Sequence, residues 1–215
     1  LAMGVYITYS ILDFPDLSVD GTMPMGAVVT AVLIIAGVNP WLCLLISFVL
    51  GMLAGTVTGL LHVKLGIRPL LCGIIVYTAM LSINLVILFK GNNGITVASF
   101  FRKPTIFNSG IAASLPTGWR ITIISLILVV IFKIAMDFYL ETKSGLLLRA
   151  VGDNEKYVTM LARDPGKAKI LGLAIGNGFA SLAGCVIAQA KGSADQQMGV
   201  GMVVLGLASV IIGLS

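Results

Sequence analysis

Three carboxylates near the start of the sequence are the first residues whose types and spacing suit chemistry. Asp13, Asp16 and Asp20 occur with Pro15 and Gly21 in one short segment. Carboxylates held within a membrane can relay protons or line a path for a polar solute. Elsewhere the sequence has no nucleophile–base pair, no cluster of metal ligands and no phosphate-binding loop, so it predicts no catalytic site.

The segment of residues 13–21 interrupts an apolar pattern. Residues 1–12 and 23–37 on either side are apolar, but each stretch is shorter than the roughly 20 residues that cross a bilayer. One interpretation is a discontinuous helix whose second half begins near Asp20 and is capped by Ser18 and Asp20. The alternative is a polar loop at the membrane surface, in which capping is the only role of these residues.

A second polar interruption, around Asp195, repeats the pattern of the first. Residues 18–29 align with residues 193–204 with six identities in twelve positions. The two pieces are expected to run in opposite directions, as in an inverted repeat of discontinuous helices whose N-termini point toward a transport site. The identical pairs are Ser18 and Ser193, Asp20 and Asp195, Met23 and Met198, Gly26 and Gly201, Val28 and Val203, and Val29 and Val204.

The rest of the chain consists mainly of long apolar segments. Of 215 residues, 58% are hydrophobic and 11% are charged, and the mean hydropathy is +1.04, whereas a soluble domain carries about 25% charged residues. The apolar runs are continuous, unlike the alternating strands of a β-barrel. The sequence therefore predicts an all-α membrane protein, a polytopic transmembrane helix bundle with discontinuous helices, in one domain over residues 1–215. The predicted full spans are residues 41–63, 69–89, 119–140, 170–190 and 198 to the end.

Basic residues between the spans predict the orientation. Residues 141–169 contain six Lys or Arg, whereas residues 90–118 contain only Lys90, Arg102 and Lys103. The positive-inside rule places residues 141–169 in the cytoplasm and residues 90–118 outside.

Small and polar side chains within the spans are interpreted as packing groups. Asn84, Asn177 and Gln189 are expected to hydrogen-bond between helices. Lys133 and Asp137 are one helical turn apart and can pair, although snorkelling of Lys133 to the surface is favoured. Two stripes of small residues at every fourth position let helix backbones approach closely: Gly51, Gly55 and Gly59 in one span, and Gly172, Gly176, Ala180, Gly184 and Ala188 in another.

The most charged segment, residues 141–169, contains a stretch that mixes an apolar stripe with polar residues. Residues 144–157 predict a short amphipathic helix, with Asp153 or Asn154 as a cap and Glu155 in the first turn. This helix is a candidate docking element for a partner protein at the cytoplasmic surface. A solvated connector is the alternative.

Several of these stretches resemble one known family. Residues 149–156, Arg-Ala-Val-Gly-Asp-Asn-Glu-Lys, together with residues 169–189, resemble the permeases of ATP-binding-cassette (ABC) importers of the branched-chain amino acid and ribose type. Residues 16–21 are similar to a motif of the sugar members. Residues 13–21 combined with 192–213 look closest to a subgroup linked to tryptophan or tyrosine uptake. The resemblance covers essentially the whole chain.

The resemblance implies a transport subunit rather than an enzyme, in a bacterial cytoplasmic membrane. The implied partners are cytoplasmic ATPase subunits, a second permease copy in a homodimer, an extracellular substrate-binding protein and the lipid bilayer, with no nucleic acid. No cofactor or metal is expected in this chain, because ATP and magnesium would be bound by the partner ATPase. The implied substrate path includes Asp13, Asp16, Ser18, Asp20, Gly21, Ser193, Asp195 and Met198. The implied ATPase-docking residues are Arg149, Ala150, Gly152, Asp153, Asn154 and Glu155.

The sequence departs from the family pattern at two places. Residues 161–164 read Leu-Ala-Arg-Asp, which leaves the exit from the docking helix open. The family continues with an acidic residue and further spans where this chain ends at Leu214 and Ser215, so we expect the chain to be a portion of a longer protein.

The expected function is import of a small solute, an amino acid and in particular an aromatic one, by alternating access. Tyr6 and Tyr9 are candidates to line the path for an aromatic solute, or they are packing or interfacial aromatics. A sugar or nucleoside ABC permease is an alternative. A rival from another class is an ion- or proton-coupled secondary transporter that uses Asp13, Asp16 and Asp20 as a relay, and a second rival is a non-transporting membrane scaffold.

Overall fold

A computed structural model describes residues 1–91, 97–101, 103–108, 119–160 and 162–214. Most of the predicted outside connection (residues 90–118), including Arg102, lies outside these described residues, as does Leu161. The described helices are α1 (Ala2–Ile11), α2 (Val19–Ile35), α3 (Pro40–Leu65), α4 (Pro69–Gly91), α5 (Arg120–Glu141), α6 (Lys143–Asp153), α7 (Glu155–Met160), α8 (Pro165–Lys191) and α9 (Met202–Leu214). Strands β1 (Val97–Ser99) and β2 (Ser193–Asp195) form an antiparallel ribbon.

The predicted spans form helices whose ends follow local capping signals. Helix α3 begins at Pro40, where the Asn39 side chain accepts a hydrogen bond from the Trp41 amide (3.0 Å), and it ends at Gly66 in a left-handed conformation (φ 66°). Helix α8 begins earlier than predicted, because Asp164 caps it by accepting from the Gly166 amide (2.9 Å). The polytopic helical fold predicted from the apolar runs is confirmed: five stretches within the described residues are long and apolar enough to cross a membrane.

The first polar interruption breaks the helix inside the bundle. Helix α1 starts as an α-helix at Ala2–Val5 and continues as a π-helix over Tyr6–Ile11. The backbone then enters the left-handed region at Asp13 (φ 51°). Helix α2 follows from Val19, and it includes Pro24 in its second turn. A discontinuous helix is therefore present, as one of the two interpretations expected.

The second interruption lies at the start of the last predicted span. A 3₁₀ turn over Gln196–Gly199 leads to Val200 in an extended conformation and to Gly201 with φ 79°. Helix α9 then follows over Met202–Leu214. The last predicted span therefore begins with irregular backbone rather than as one continuous helix from residue 198.

Helix α8 is the centre of the bundle. In its most apolar window 72% of the residues are buried, compared with 11% for α5, whose exposed apolar side chains suit contact with lipid. The two stripes of small residues are packing surfaces, but they do not face each other. On α3, Gly55 lies against the Leu173 carbonyl, while on α8, Gly184 lies against the Met23 carbonyl of α2, and at both glycines a Cβ would collide.

The two ends of the bundle differ in structure. At one end, called the α6 end, the predicted amphipathic helix is two helices. Helix α6 is capped by Thr142, which accepts from the Gly145 amide (3.3 Å), and Asn154 caps α7 by accepting from the Tyr157 amide (3.1 Å). At the opposite end, called the ribbon end, β1 pairs with β2. No sequence pattern predicted this ribbon.

Candidate functional site

A buried polar cluster joins the first interruption to the middle of α8. The Asn177 side-chain amide donates to Asp16 Oδ2 (2.7 Å), and its oxygen accepts from the hydroxyls of Ser18 (3.1 Å) and Thr22 (2.8 Å). The other Asp16 oxygen accepts from the Ser18 amide (2.8 Å). All four side chains are buried. A satisfied network of this kind fixes the shape of the interruption, because each unmet polar group would carry a desolvation cost.

Asp20 connects the two interruptions directly. Its carboxylate accepts from the Gly201 amide (3.2 Å) through Oδ2 and from the Val203 amide (2.8 Å) through Oδ1. These amides belong to the first turn of α9, where a negative charge meets the positive end of the helix dipole. Asp20 therefore caps a helix that begins about 180 residues later in the chain.

The prediction that Ser18 and Asp20 cap α2 itself is wrong. Neither side chain caps α2, because the Ser18 hydroxyl donates to Asn177 and the Asp20 carboxylate faces α9. The first turn of α2 is closed by backbone bonds, such as that from the Thr22 amide to the Ser18 carbonyl (2.9 Å). The polar side chains are thus available to hold neighbouring elements.

Backbone contacts hold the start of α2 close to the turn that precedes α9. Gly199, in the turn before α9, lies against the Asp20 carbonyl and the Pro24 ring, so that a Cβ at this position would collide. Gly21 likewise lies against Tyr77 and Met80 of α4. Its carbonyl accepts from the Asn84 side-chain amide (3.1 Å). The N-terminal turns of α2 and α9 therefore meet, with α4 behind them, as expected for paired discontinuous helices.

The remaining residues predicted for the substrate path lie elsewhere. Ser193 and Asp195 belong to β2 at the ribbon end, and Asp195 accepts from the Gln197 amide (3.3 Å). Met198 follows in the 3₁₀ turn, and its sulfur accepts from the Asp195 amide (3.4 Å). The structure thus brings Asp16, Ser18, Asp20 and Gly21 to one region, and Ser193, Asp195 and Met198 to another, with the Gly199 turn between them.

The three carboxylates of the first interruption lie in different surroundings. Asp13 is exposed, Asp16 binds Asn177 and Asp20 binds α9. A hollow of about 40 Å³ lies beside Asp16 and is lined by Tyr9 and Val203 among others. It has room for a few water molecules at most, so passage of a larger solute here requires the interruption and α9 to separate.

The predicted docking residues lie across the junction of α6 and α7. Arg149, Asp153, Asn154 and Glu155 are exposed, whereas Ala150 and Gly152 are half-buried. Glu155 forms an ion pair with Lys169 at the start of α8 (2.7 Å). Exposed apolar side chains surround them, with Leu146 55% exposed, Tyr157 59% and Met160 82%.

Helix α6 rests directly on the first interruption. Gly152 lies so close to the Ile11 carbonyl, at the end of α1, that a Cβ would collide with it. Leu148 on the same helix is fully buried and packs beside Leu12 and Gly172. A displacement of α6 would therefore act on the residues that immediately precede Asp13 and Asp16.

Sequence reasoning did not identify every partner in this site. The predicted hydrogen bonds of Asn177 between helices are present. The sequence does not predict its bond to Asp16. Thr22 and the amides of Gly201 and Val203 were not considered. The alignment of Asp20 with Asp195 suggests equivalent roles for the two carboxylates. Asp20 bonds to α9, whereas Asp195 bonds within its own turn to the Gln197 amide.

Comparisons with known proteins agree with this architecture. The family described as "Branched-chain amino acid transport system / permease component" matches residues 1–215. A tyrosine transport system permease protein of Clostridioides difficile (strain R20291) is 43% identical over 215 residues, covering 100% of this chain and 68% of the relative.

Two further relatives are more distant. An uncharacterised protein of Rickettsia prowazekii (strain Madrid E) is 32% identical over 99% of this chain and 71% of its own length. A fructose import permease protein of Bifidobacterium longum (strain NCC 2705) is 28% identical over 79% of this chain and 46% of its own length. No solved structure matches the chain.

Proposed function

This chain belongs to the family of branched-chain amino acid transport system permease components, and we propose that it imports an amino acid, in particular an aromatic one, by alternating access. As a permease component of an ABC transport system it is a bacterial membrane transport subunit, and ATP hydrolysis takes place in a separate partner. The substrate and the solute path are part of what we propose. So are a homodimer of two permease copies and the binding of ATP and magnesium by the partner ATPase. Membership of this family leaves no support for the rival hypothesis of an ion- or proton-coupled secondary transporter.

The observation that carries the proposed path is the bond between Asp20 and the first turn of α9. It joins two helices, α2 and α9, whose N-termini meet within the bundle, which is the arrangement that transporters use for solute sites. The N-terminal amides of such helices favour a carboxylate. In the proposed cycle, separation of α9 from Asp20 frees these amides, and the carboxylate of an amino acid takes the place of the aspartate.

An aromatic substrate is supported by a relative and by two side chains. The relative that is 43% identical is named for tyrosine transport, whereas the relative named for fructose import is 28% identical. Tyr6 and Tyr9 lie on α1, and Tyr9 is 38% exposed beside the hollow at Asp16. In the proposal these rings offer stacking surfaces to an aromatic solute, as aromatic pairs commonly do. Asp13, Ser193, Asp195 and Met198 line the path toward its two openings.

The proposed coupling to ATP runs through α6 and α7. Their exposed residues combine charge, at Arg149, Asp153 and Glu155, with apolar side chains at Leu146 and Met160, a composition suited to a protein interface. Movement of the ATPase would shift α6, and the contact between Gly152 and Ile11 would pass this shift to the first interruption. The α6 end is cytoplasmic in this proposal.

Uptake by the assembled transporter tests the path. Asp20→Ala removes both acceptors from the first turn of α9, and we expect uptake of radiolabelled tyrosine in proteoliposomes to fall at least tenfold (about 1.4 kcal/mol). Asp20→Asn keeps one acceptor and should give an intermediate rate. Asp137→Asn, which neutralises an exposed carboxylate on α5, is the matched control. Wild-type uptake by Asp20→Ala would refute the path, and transport of fructose but not tyrosine would refute the substrate.

Association with the ATPase tests the docking surface. The double variant Arg149→Glu with Asp153→Lys reverses both charges. The net charge of α6 is unchanged, but the positive and negative positions are exchanged. We expect co-purification with the ATPase subunit encoded beside the permease to fall at least tenfold, while Lys64→Glu, at the same end on α3, has little effect. Undiminished co-purification of the double variant would show that the ATPase binds elsewhere.

A further inference from the structure

An ion pair on α5 lies within a membrane span and is open to its surroundings. Lys133 Nζ donates to Asp137 Oδ2 (2.6 Å), and the two side chains are 59% and 49% exposed. Lys133 lies eight residues before the end of α5 at Glu141, a distance of about 12 Å along the helix. Exposed charges at this depth are costly in a bilayer unless polar groups meet them. The pair therefore needs a polar partner that the membrane can supply.

A hollow of about 300 Å³, called the charged hollow, lies beside this pair at the α6 end. Its lining also includes Arg149 of α6, Tyr6 of α1 and Ser209 of α9. Two cations and one carboxylate leave one positive charge in excess. An ammonium group has three donor hydrogens, and the bond to Asp137 uses one of them. The remaining donors and the excess positive charge suit an anionic group such as a phosphate.

A second hollow, of about 210 Å³ and apolar, continues from the first along α5. Met3 of α1 lines both hollows. On α5 the lining passes from residues 125–132 in the apolar hollow to residues 133–140 in the charged hollow. Residues 179–187 of α8 form the opposite wall of the apolar hollow. Together the two hollows form one groove, called the α5 groove, which is charged at the α6 end and apolar toward the middle of the span.

We propose that the α5 groove binds an anionic phospholipid of the cytoplasmic leaflet, with its phosphate at Lys133 and Arg149 and one acyl chain in the apolar hollow. The α6 end is cytoplasmic by the positive-inside rule, and basic pockets between transmembrane helices on that side bind anionic headgroups. A lipid of this leaflet directs its acyl chains from the cytoplasmic surface toward the middle of the bilayer. The groove has its charged and apolar parts in the same order.

A phospholipid matches the groove better than a free phosphate or a second copy of the chain. A free phosphate would leave the apolar hollow unfilled. An apolar helix of a second copy would bury the charges of Lys133 and Asp137 without offering new hydrogen bonds, which is costly. Helix α5 is also the least buried of the five candidate spans, so lipid is its natural neighbour. The inference depends on the membrane and on the predicted orientation, and not on the proposed solute.

Native mass spectrometry of the permease–ATPase complex tests the charged hollow. The complex is reconstituted with equal amounts of phosphatidylglycerol and phosphatidylcholine, extracted in detergent, and its retained lipids are counted. Wild type should retain mainly phosphatidylglycerol. Lys133→Gln should lower this retention about fivefold, since one basic residue near a headgroup contributes roughly that factor. Lys133→Arg should restore it, because the positive charge returns. Lys64→Gln is the matched control, since it removes a charge at the same end outside the groove.

Ala183→Phe tests the apolar hollow separately. Ala183 lines this hollow from α8, so a phenyl ring there occupies the space of the acyl chain. We expect retention of phosphatidylglycerol to fall at least fivefold although Lys133 is unchanged. Leu126→Phe, at an exposed position on α5 outside the groove, is the control and should retain lipid like wild type.

Four results would overturn the lipid site. The first is wild-type retention in Lys133→Gln with its thermal unfolding unchanged. The second is a loss that Lys133→Arg does not restore, which would indicate a structural role of the lysine. The third is equal retention of both lipids together with binding of inorganic phosphate, which would indicate a site for free anions. The fourth is no retained lipid in wild type, which would indicate that protein covers the groove. Absence of tyrosine uptake by wild type would refute the proposed function and leave these lipid counts unaffected.

Discussion

At the scale of single residues, Asn177 has a larger role than its position in an apolar span suggests. Its amide donates to Asp16 (2.7 Å) and to the Leu173 carbonyl (3.1 Å), while its oxygen accepts from Ser18 and Thr22. One side chain therefore satisfies a buried carboxylate and two buried hydroxyls. Because lipid offers no replacement partners, the position of the interruption depends on this residue.

Asn177→Leu is expected to destabilise the protein by about 3 kcal/mol, because one oxygen of the buried Asp16 carboxylate loses its donor and only the Ser18 amide remains. Asn84→Leu, which removes one donor to the Gly21 carbonyl, should cost about 1 kcal/mol. Unfolding by SDS titration in detergent micelles measures both. The added substitution Asp16→Asn should recover part of the loss, since the buried charge is then absent. Equal effects of Asn177→Leu and Asn84→Leu would contradict a special role for the cluster.

At the scale of elements, the contact between α6 and α1 links the surface to the interior. The π-helical turn Tyr6–Ile11 ends where Gly152 approaches, and π-helical turns often mark functional positions. Because no side chain lies between the two backbones, a movement of one element directly displaces the other. Close-packed protein transmits displacement in this way because its contacts are not readily compressed.

Gly152→Ala is expected to push α6 away from Ile11, because the added methyl group overlaps the carbonyl. Overpacking of this kind typically costs about 1–3 kcal/mol. We expect uptake per ATP hydrolysed to fall at least fivefold, while the ATPase still co-purifies. Lys143→Ala, at an exposed position on the same helix, is the control. An unchanged ratio of transport to hydrolysis in Gly152→Ala would show that coupling does not pass through this contact.

At the scale of the whole molecule, the two ends of the bundle carry different structures around one central helix. Helix α8 runs from Asp164 at the α6 end to Gly192 at the ribbon end, and near its middle it binds the first interruption through Asn177. The proposed docking surface at the α6 end is therefore connected to the proposed path through this helix. With residues 141–169 in the cytoplasm, as the basic residues predict, the ribbon end faces outward.

Cysteine labelling tests this orientation. Lys103→Cys and Lys156→Cys place exposed thiols at opposite ends, in a background where Cys43, Cys72 and Cys185, all buried, are replaced by Ala. In intact cells we expect a membrane-impermeant maleimide to label position 103 at least tenfold faster than position 156. Permeabilised cells should label both at similar rates. The reverse preference in intact cells would invert the topology.

Composition and local motifs were enough to predict the class of structure and the family. Continuous apolar runs predicted the spans because in lipid every backbone polar group must be satisfied within the helix, so length and composition suffice. The exact helix ends did not follow, since α8 begins at Pro165 rather than at residue 170. The family also followed from local sequence, at residues 149–156, and is confirmed by the match over the whole chain.

The contacts between polar groups, in contrast, could not be predicted without the packed structure. Asp20 has the residue type and position of a cap for its own helix, yet its carboxylate binds α9. Asp16 and Asn177 are 161 residues apart, and no periodicity in either segment specifies that contact. The ribbon between β1 and β2 joins two strands of three residues each, too short to give a pattern. Such pairings depend on how helices pack in three dimensions, and a local sequence signal does not carry that information.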